Sequence, residues 1–351
     1  MEQINFGLIG CGEMGQIHAG ALAGIPNARL WGVADIDPAA LDRVRNEYGG
    51  DVVLFDSGHD LITAMPEDAP RAVIIATTVE THVEYAIAAI QRGCHVLVEK
   101  PMAEYVAHAR HLVAQAGARG VRLAVNHNGV FMSAFQRAKE LIAQGRIGEL
   151  RFLEAWCKGR GSYDLWEVAG HICDFMRRIG GEVRWMQGDA TRNGQTMTFA
   201  DKMPIPRGPG QRKTGWGIAD YLYGYYAFAS GVRGELRIGT LEQDSLHTIA
   251  LEVHGSLGRL RIYQSSGGYL YTKMDQFADP DRQWYPDTPR NDHAVGLEGL
   301  IEPTRALIND FIECIGHRGQ PKVSGEDGCA ALWMTLGIFD SSLQGGTRLY
   351  Y

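Results

Sequence analysis

Short apolar runs alternate with amphipathic segments along the first 125 residues of the chain. The runs are brief and rich in β-branched residues, as buried strands are, and the segments between them have the apolar spacing of helices. This alternation predicts an α/β fold with a doubly wound parallel sheet. The predicted strands are Ile4–Ile9, Arg29–Ala34, Val52–Phe55, Arg71–Ala76, Val96–Val98 and Arg122–Val125, and the predicted helices are Gln16–Ala23, Pro38–Tyr48, His59–Met65, Glu80–Arg92 and Glu104–Arg119.

The pattern changes after residue 126, so we divide the chain into residues 1–126 and 127–351. Two long segments of the second part, 192–216 and 275–303, show no periodicity and are predicted to be irregular. The remaining pattern predicts helices at Ser133–Gln144, Val168–Ile179, Thr304–Cys314 and Asp327–Leu343, and strands at Glu149–Cys157, Tyr221–Ser230, Gly234–Gly239, His247–His254, Arg259–Gln264, Tyr269–Lys273 and Leu349–Tyr351.

Composition and charge disfavour several classes of protein. The chain has 351 residues, enough for two domains that each bury a core. Its net charge of −7 argues against nucleic acid or an anionic membrane as the main partner. The amino terminus has no basic n-region, no apolar run would span a bilayer, and the six cysteines include no Cys-x-x-Cys pair. We therefore expect a cytoplasmic protein without a metal site.

The first predicted strand runs into a glycine motif, Gly10-Cys11-Gly12-Glu13-Met14-Gly15. In such motifs the first glycine allows a tight turn, the second lets the backbone approach a pyrophosphate, and the third lets helix and strand pack closely. The following helix offers free N–H groups to phosphates. Asp35 ends the second strand twenty residues beyond Gly15, the spacing expected of a carboxylate that binds ribose hydroxyls. Together these features predict a dinucleotide site, and repulsion of a 2′-phosphate by Asp35 favours NAD over NADP.

Polar residues also follow later strands. Glu99 and Lys100 end the fifth strand, and ligands of open α/β sheets bind at such carboxyl ends. Thr77 and Thr78 end the fourth strand, and we expect them beside the cofactor. His82, early in the next helix, either lines this pocket or caps its own helix.

Asn126, His127 and Asn128 follow the sixth strand. Their side chains either face the nicotinamide end of the cofactor or form a turn whose residues bond their own backbone. We retain Asn126 as a cofactor-binding residue and Asn128 as a substrate-binding residue.

Five motifs spread over nearly the whole chain resemble those of one known family. They are the glycine motif with His18 three residues on, Ala76-Thr77-Thr78 with His82, Glu99-Lys100-Pro101, the helical stretch Glu167–Asp174, and an ending from Phe311 through Ser324–Gly328 to Ser341 and Ser342. This combination resembles the glucose–fructose oxidoreductase / inositol dehydrogenase / MocA (Gfo/Idh/MocA) family. The resemblance implies an N-terminal Rossmann domain and a C-terminal α/β domain with an open, mostly antiparallel sheet. It also implies bound NAD, a small-molecule substrate and a homo-oligomer, either a dimer or a tetramer.

The resemblance also implies roles for individual residues. Lys100 is expected to contact the substrate hydroxyl and the nicotinamide ribose, Glu99 to contribute to the cofactor site, and His171 to supply acid–base chemistry. The family has an aspartate four residues before this histidine, and here the position holds Glu167. Glu167 either orients His171 or reaches the substrate, and Asp164 and Asp174 are competing carboxylates.

The candidate site residues fall into three overlapping sets. The catalytic set is Lys100, His171 and Glu167. The cofactor-binding set is Gly10, Cys11, Gly12, Glu13, Met14, Gly15, Asp35, Thr77, Thr78, His82, Glu99, Lys100 and Asn126. The substrate-binding set is Lys100, Asn128, Lys158, Tyr163, Glu167 and His171, with residues 158–166, 192–216 and 275–303 as candidate pocket loops.

Three functions are open at this point. The leading hypothesis is an NAD-dependent oxidoreductase that acts on a secondary alcohol of a sugar, cyclitol or glycoside. In the second, NAD stays bound and a transient oxidation drives elimination or hydrolysis. The third is a non-catalytic dinucleotide sensor, and the presence of both Lys100 and His171 counts against it.

Overall fold

The computed structural model describes residues 2–48, 51–159, 165–205, 215–217, 219–240, 248–263, 270–274, 285–286, 297–317 and 319–351. The chain divides into two compact units. One is Met1–Phe131 with Val295–Cys329, and the other is Met132–Ala294 with Ala330–Tyr351.

The first unit contains a parallel sheet, which confirms the predicted doubly wound architecture. Its strands are β1 (Ile4–Ile9), β2 (Ala28–Ala34), β3 (Val53–Phe55), β4 (Arg71–Ile75), β5 (His95–Val98) and β6 (Leu123–Val125). Its first helices are α1 (Glu13–Ala23), α2 (Pro38–Tyr48), α3 (Gly58–Ala64), α4 (Val79–Gln91) and α5 (Val106–Arg119). All its strand pairs are parallel, so the loops that follow the strands lie at one edge of the sheet. The spatial order is β3-β2-β1-β4-β5-β6, and β1 and β4 flank the switch point at which ligands of such sheets bind.

The second unit contains a larger, mixed sheet. Its helices and strands are α6 (Ser133–Ala143), β7 (Leu150–Gly159), α7 (Leu165–Gly180), β8 (Val183–Arg192), β9 (Gln195–Thr196), β10 (Met203–Ile205), β11 (Gly215–Gly217), β12 (Tyr221–Phe228), β13 (Arg233–Thr240), β14 (Thr248–Gly255), β15 (Gly258–Tyr263), β16 (Leu270–Met274), β17 (Tyr285–Pro286) and β18 (Leu349–Tyr350). The order is β17-β16-β15-β14-β7-β13-β12-β8-β18, with β9 beside β8. The pair of β13 with β7 is parallel and the other pairs named here are antiparallel, as the resemblance implied.

Two long helices, α8 (Ile301–His317) and α9 (Gly325–Leu343), close the chain. In the first unit α8 packs on the end of α1, where Arg305 Nε donates to Ala21 O at 3.1 Å and Arg305 Nη2 donates to Gly20 O at 3.2 Å. These carbonyls belong to the last turn of α1, where few backbone N–H groups remain to pair with the carbonyl oxygens, and a guanidinium suits that negative end of the helix. The described helices include none that is long and apolar enough to cross a membrane.

The prediction missed strand β8. It also took residues 192–216 as irregular, and that prediction is wrong in part. That segment holds β9, a short 3-10 helix at Phe199–Asp201, and the antiparallel pair β10 and β11. Segment 275–303 was also predicted to be irregular, and it holds β17, a 3-10 helix at Leu297–Leu300 and the first residues of α8. The inward positions of β8 include Gly188 and Ala190, which are too small to produce a clear apolar alternation. A Cβ on Gly188 would lie 2.6 Å from Ile338 Cα of α9, so close packing of the helix requires the small residue.

Two serines of α9 complete the hydrogen bonding of β8. Ser341 Oγ accepts from Gly188 N at 2.9 Å and donates to Thr347 O at 2.7 Å, and Ser342 Oγ accepts from Ala190 N at 3.0 Å. The short strand β18 pairs with β8 only at Trp185 and Met186, so the serines take over where that strand ends. They satisfy buried backbone donors that would otherwise destabilise the second unit.

We predict that Ser341→Ala loosens β8 locally. The substitution leaves the buried Gly188 N–H without its acceptor, which costs about 1–3 kcal/mol. We expect a lower urea midpoint and faster deuterium uptake in a peptide covering residues 183–192. Ser133→Ala, at an exposed serine, is the matched control and should change neither measurement. Unchanged exchange in Ser341→Ala would contradict the assignment.

Candidate active site

The glycine motif forms the turn between β1 and α1, and its glycines serve different purposes. Gly10 has φ +93°, and a Cβ there would lie 2.5 Å from Ala76 O. A Cβ on Gly15 would lie 2.1 Å from Gly10 O. The turn can therefore close only if neither Gly10 nor Gly15 carries a side chain. Gly12 is exposed, and a Cβ there would meet nothing within 4 Å. Packing among the described residues therefore does not require a glycine at this position.

Helix α1 begins inside the motif, at Glu13, three residues earlier than predicted. Gly12 is its N-cap and no side chain caps it. The first N–H groups of the helix, beginning at Glu13 and Met14, are therefore available to a ligand, and the helix dipole favours an anion there.

Asp35 follows β2 and points its carboxylate at the same turn. Its Oδ2 accepts from the backbone N–H of Cys11 at 2.6 Å, and its Oδ1 accepts from Asp37 N at 2.8 Å. The half-buried carboxylate is thus fixed beside the glycine motif, with lone pairs left for hydroxyl donors. Burial, followed by the charge of Asp35, raises the pKa of the Cys11 thiol to about 12, so Cys11 contributes only its backbone.

The loop after β4 contains Thr77 and Thr78. Thr81 Oγ1 donates to Thr77 Oγ1 at 2.8 Å, and Thr78 is the N-cap of α4. His82 is 1% exposed, with Nδ1 2.9 Å from Pro101 O and Nε2 3.2 Å from Thr77 O. Its ring therefore joins the loops after β4 and β5, which neither of the two sequence interpretations anticipated.

A buried polar cluster lies at the mouth of β5. Glu99 is 1% exposed, and its Oε1 lies 2.8 Å from Nε2 of His18 and accepts from Asn126 Nδ2 at 2.6 Å. Glu99 Oε2 accepts from the backbone N–H of Lys100 at 3.2 Å. The cluster joins α1 to the ends of β5 and β6. The Lys100–Pro101 peptide bond that follows is cis.

The neighbours of Glu99 hold it as an anion. Burial alone raises the pKa of this carboxyl, but the hydrogen bond and charge of His18, the charge of Lys100 and the hydrogen bond of Asn126 outweigh burial. Together they lower the pKa of Glu99 from 4.5 to about 2. Glu99 is therefore ionised at neutral pH, directly before half-buried Lys100 in the chain.

His18 is the residue of this cluster to which the sequence interpretation assigned no role. It was noted only as part of the glycine motif that carries the family resemblance. Its side chain is fully buried, between buried Ile17 and Ala19. A polar residue among apolar positions of a helix indicates a buried partner, and that signal was available in the sequence.

This edge of the sheet fits NAD. The open backbone at Gly12 and the uncapped start of α1 suit a pyrophosphate, and Asp35 suits ribose hydroxyls. Asn126 Oδ1 is buried and has no hydrogen-bond partner among the described residues, so it is ready to accept from a ligand. The described residues include no group of three or more His, Cys, Asp or Glu side chains that would hold a metal ion.

Asn128 lies outside this cluster. It is 4% exposed, and its Nδ2 donates to Thr304 Oγ1 of α8 at 3.0 Å. The bond attaches the 3-10 turn Asn128–Phe131 to the closing helix of the same unit. The structure thus gives Asn128 a packing partner, and its predicted contact with substrate stays a prediction.

In the second unit, His171 lies on α7 and is 9% exposed. The competing carboxylate Asp174 is fully buried and accepts from Arg178 Nε at 2.7 Å, so it already has a cationic partner. The side chains of Lys158 and Glu167, and the whole of Tyr163 and Asp164, lie outside the described residues, as does most of segment 275–303.

Comparisons with known proteins found two family models that match this chain. The model of an oxidoreductase family with an NAD-binding Rossmann fold, Gfo/Idh/MocA, matches residues 4–127. The model of the Gfo/Idh/MocA C-terminal domain matches residues 135–261. The two models describe the N-terminal and C-terminal domains of one family.

Individual relatives are more distant. The 1,5-anhydro-D-fructose reductase of Ensifer adhaerens is 29% identical over 297 residues, 78% of each chain. The inositol 2-dehydrogenase of Rhizobium meliloti (strain 1021) is 29% identical over 183 residues, so the match spans about half of each protein, 52% of this chain and 51% of that one. A solved structure of levoglucosan dehydrogenase with NADH and L-sorbose superposes with a TM-score of 0.80 over 100% of this chain and 99% of that one. At 20% identity this likeness shows the fold alone.

We predict that alanine at two glycines of the motif separates binding from folding. Gly12→Ala should keep the thermal midpoint, because its Cβ meets nothing, and should weaken NADH binding about tenfold or more, because the methyl stands where a pyrophosphate approaches. Gly15→Ala should unfold or strongly destabilise the protein, because its Cβ meets the Gly10 carbonyl. Calorimetry and NADH fluorescence titration measure both effects. Normal NADH affinity in Gly12→Ala would place the pyrophosphate elsewhere.

We also predict a stability contribution from Glu99 that disappears in acid. A carboxyl with a lowered pKa stabilises the fold above its unfolded value and loses that effect as pH falls through its folded value. The advantage of the wild type over Glu99→Gln should be about 3 kcal/mol at neutral pH and should shrink as pH falls from 4.5 toward 2. Urea unfolding of both proteins across this range measures the difference. A difference independent of pH would mean that Glu99 is not held as an anion.

Proposed function

This chain belongs to the Gfo/Idh/MocA oxidoreductase family, and from that membership we propose that it is an NAD-dependent oxidoreductase acting on a secondary alcohol of a sugar, cyclitol or glycoside. The observation that carries the proposal is the position of Lys100. It follows β5 at the sheet edge that fits NAD, directly after the anionic, buried Glu99. A cation at a strand mouth beside a nicotinamide cofactor is suited to binding an alcohol oxygen as it becomes a carbonyl.

The substrate class is drawn from the relatives. Their names refer to inositol, 1,5-anhydro-D-fructose and levoglucosan, a cyclitol and two anhydrosugars. All are compact polyols, and we propose that this chain takes a substrate of the same chemical class.

The cofactor is held by the first unit. Backbone N–H groups at Glu13 and Met14 would bind the pyrophosphate, Asp35 would bind the ribose hydroxyls, and Asn126 Oδ1 would accept a hydrogen bond at the nicotinamide end. The carboxylate of Asp35 would repel the 2′-phosphate that distinguishes NADP from NAD, so we expect NAD to be preferred. With NAD held there, the site would have a hydride acceptor for the carbinol carbon of the substrate.

The protein's own groups handle the proton. Lys100 binds the substrate oxygen and stabilises the negative charge that develops on it. His171 takes the hydroxyl proton at a ring nitrogen as general base, a task that suits an imidazole near neutral pH. Glu167, in the position where relatives have aspartate, orients His171.

A substrate panel tests the reaction class. Purified protein with NAD is offered sugars, inositols and glycosides, and NADH absorbance and reaction products are recorded in the same wells. The proposal expects NADH to rise with at least one polyol. Product without NADH would replace it with a bound-cofactor cycle, and NADH binding without any turnover would replace it with a dinucleotide sensor.

We predict that Lys100→Ala lowers kcat by at least about a hundredfold while NADH still binds, because the contacts of the glycine motif with the pyrophosphate and of Asp35 with its ribose remain. Lys139→Ala is the matched control, since Lys139 is an exposed lysine of α6, and it should turn over normally. Normal turnover in Lys100→Ala would remove Lys100 from the mechanism. Loss of NADH binding in the same variant would instead make it a cofactor residue only.

A further inference from the structure

His18 connects the glycine-motif helix to the mouth of β5. It is fully buried in α1, and its Nε2 lies 2.8 Å from Oε1 of Glu99, a residue 81 positions away in the chain. Because an ionised carboxylate only accepts hydrogen bonds, His18 Nε2 carries the proton of this contact. The interaction is therefore a charge-assisted hydrogen bond shielded from water.

Among the described residues, three act on the Glu99 carboxyl. They are His18 from α1, Lys100 from its own loop and the amide of Asn126 from the loop after β6. Burial favours the neutral carboxyl and is the largest single influence on the pKa of Glu99, but these three groups together outweigh it. Asn126 carries no charge, and the fixed backbone contact from Lys100 is longer, at 3.2 Å, than the 2.8 Å contact with His18. Of these contacts, only that of His18 joins Glu99 to the helix that begins at the cofactor turn.

We propose that His18 is a positioning residue for the proposed dehydrogenase: it keeps Glu99 anionic and oriented, and Glu99 in turn keeps Lys100 charged and in place. This inference rests on the proposed function for the role of Lys100. The coupling between His18 and Glu99 stands on its own geometry. Attraction between an anion and a neighbouring cation is mutual, so a neutral Glu99 would weaken the charged form of Lys100 as well as the backbone contact.

Two substitutions of His18 distinguish positioning from packing. Glutamine can present an amide N–H near the position of Nε2, and so can still donate to Glu99. Asparagine has the same chemistry but is one methylene shorter, so its amide reaches only the position of Nδ1. His18→Gln and His18→Asn thus form a matched pair that differs in reach to the carboxylate.

The first measurement follows the Glu99 carboxyl directly. Protein labelled with ¹³C at glutamate side-chain carboxyls is titrated from pH 4.5 to 9 by NMR, and Glu99→Gln assigns the signal. Glu99 should stay ionised throughout in the wild type and in His18→Gln. In His18→Asn it should titrate with a midpoint roughly between pH 5 and 8, the range of a buried carboxyl that has lost its partner.

The second measurement is the pH profile of kcat/KM on the best substrate of the panel. His18→Asn should gain an acid limb at the midpoint seen by NMR, with activity below that midpoint reduced about tenfold to a hundredfold and partly recovered above it. His18→Gln should keep the wild-type profile. A residue that serves packing alone would lower stability in both variants without adding a titration to the rate.

Several results would overturn the proposal. Glu99 remaining ionised in His18→Asn would remove the coupling, and a titration without an acid limb would remove the positioning role. If His18→Asn does not fold, the NMR titration of the wild type tests the inference. A wild-type Glu99 signal that titrates between pH 5 and 8 would refute it. Absence of turnover with every substrate would defeat the proposed function, while the NMR titration would still decide the coupling.

Discussion

A carboxylate removed from water must be compensated by its neighbours, and in the first unit this requirement falls on Glu99. Its neighbours come from three separate parts of the chain: His18 of α1, the backbone of Lys100, and Asn126 beyond β6. If any of the three moved, the others would be left with a buried and poorly compensated charge, at a free-energy cost of several kcal/mol. The charge therefore fixes the relative positions of the cofactor turn and the two strand ends beside it.

The polar residues near this edge differ in the partners that they have within the protein. His82 joins two loops through carbonyl oxygens, and Asn128 attaches a turn to Thr304. Asn126, two residues from Asn128, differs because its Oδ1 is buried without a partner among the described residues. Residue type and proximity alone would have ranked Asn126 and Asn128 equally, whereas the hydrogen-bond inventory separates them.

The parallel sheet could be predicted because strands β1, β4, β5 and β6 are buried along nearly their whole length and appear as mostly apolar runs. Strand β8 could not, because Gly188 is small where α9 packs against it, and the apolar alternation that marks a strand is interrupted there. The glycine motif and Asp35 were recognisable from spacing, since their partners lie in adjacent loops. The contact between His18 and Glu99 was not, because no local pattern encodes a hydrogen bond between residues 81 positions apart.

The same cluster is difficult to explain by stability alone. Replacing a buried ion pair with apolar side chains of similar volume is often neutral or stabilising, because desolvation offsets most of the attraction. His18 and Glu99 are 0% and 1% exposed, so they bear the full desolvation penalty. In the neighbouring strand β4, by contrast, the fully buried positions Ala72–Ile75 are all apolar. Because the pair stands directly before the lysine at the mouth of β5, it is better explained by the charge and orientation that it gives that lysine.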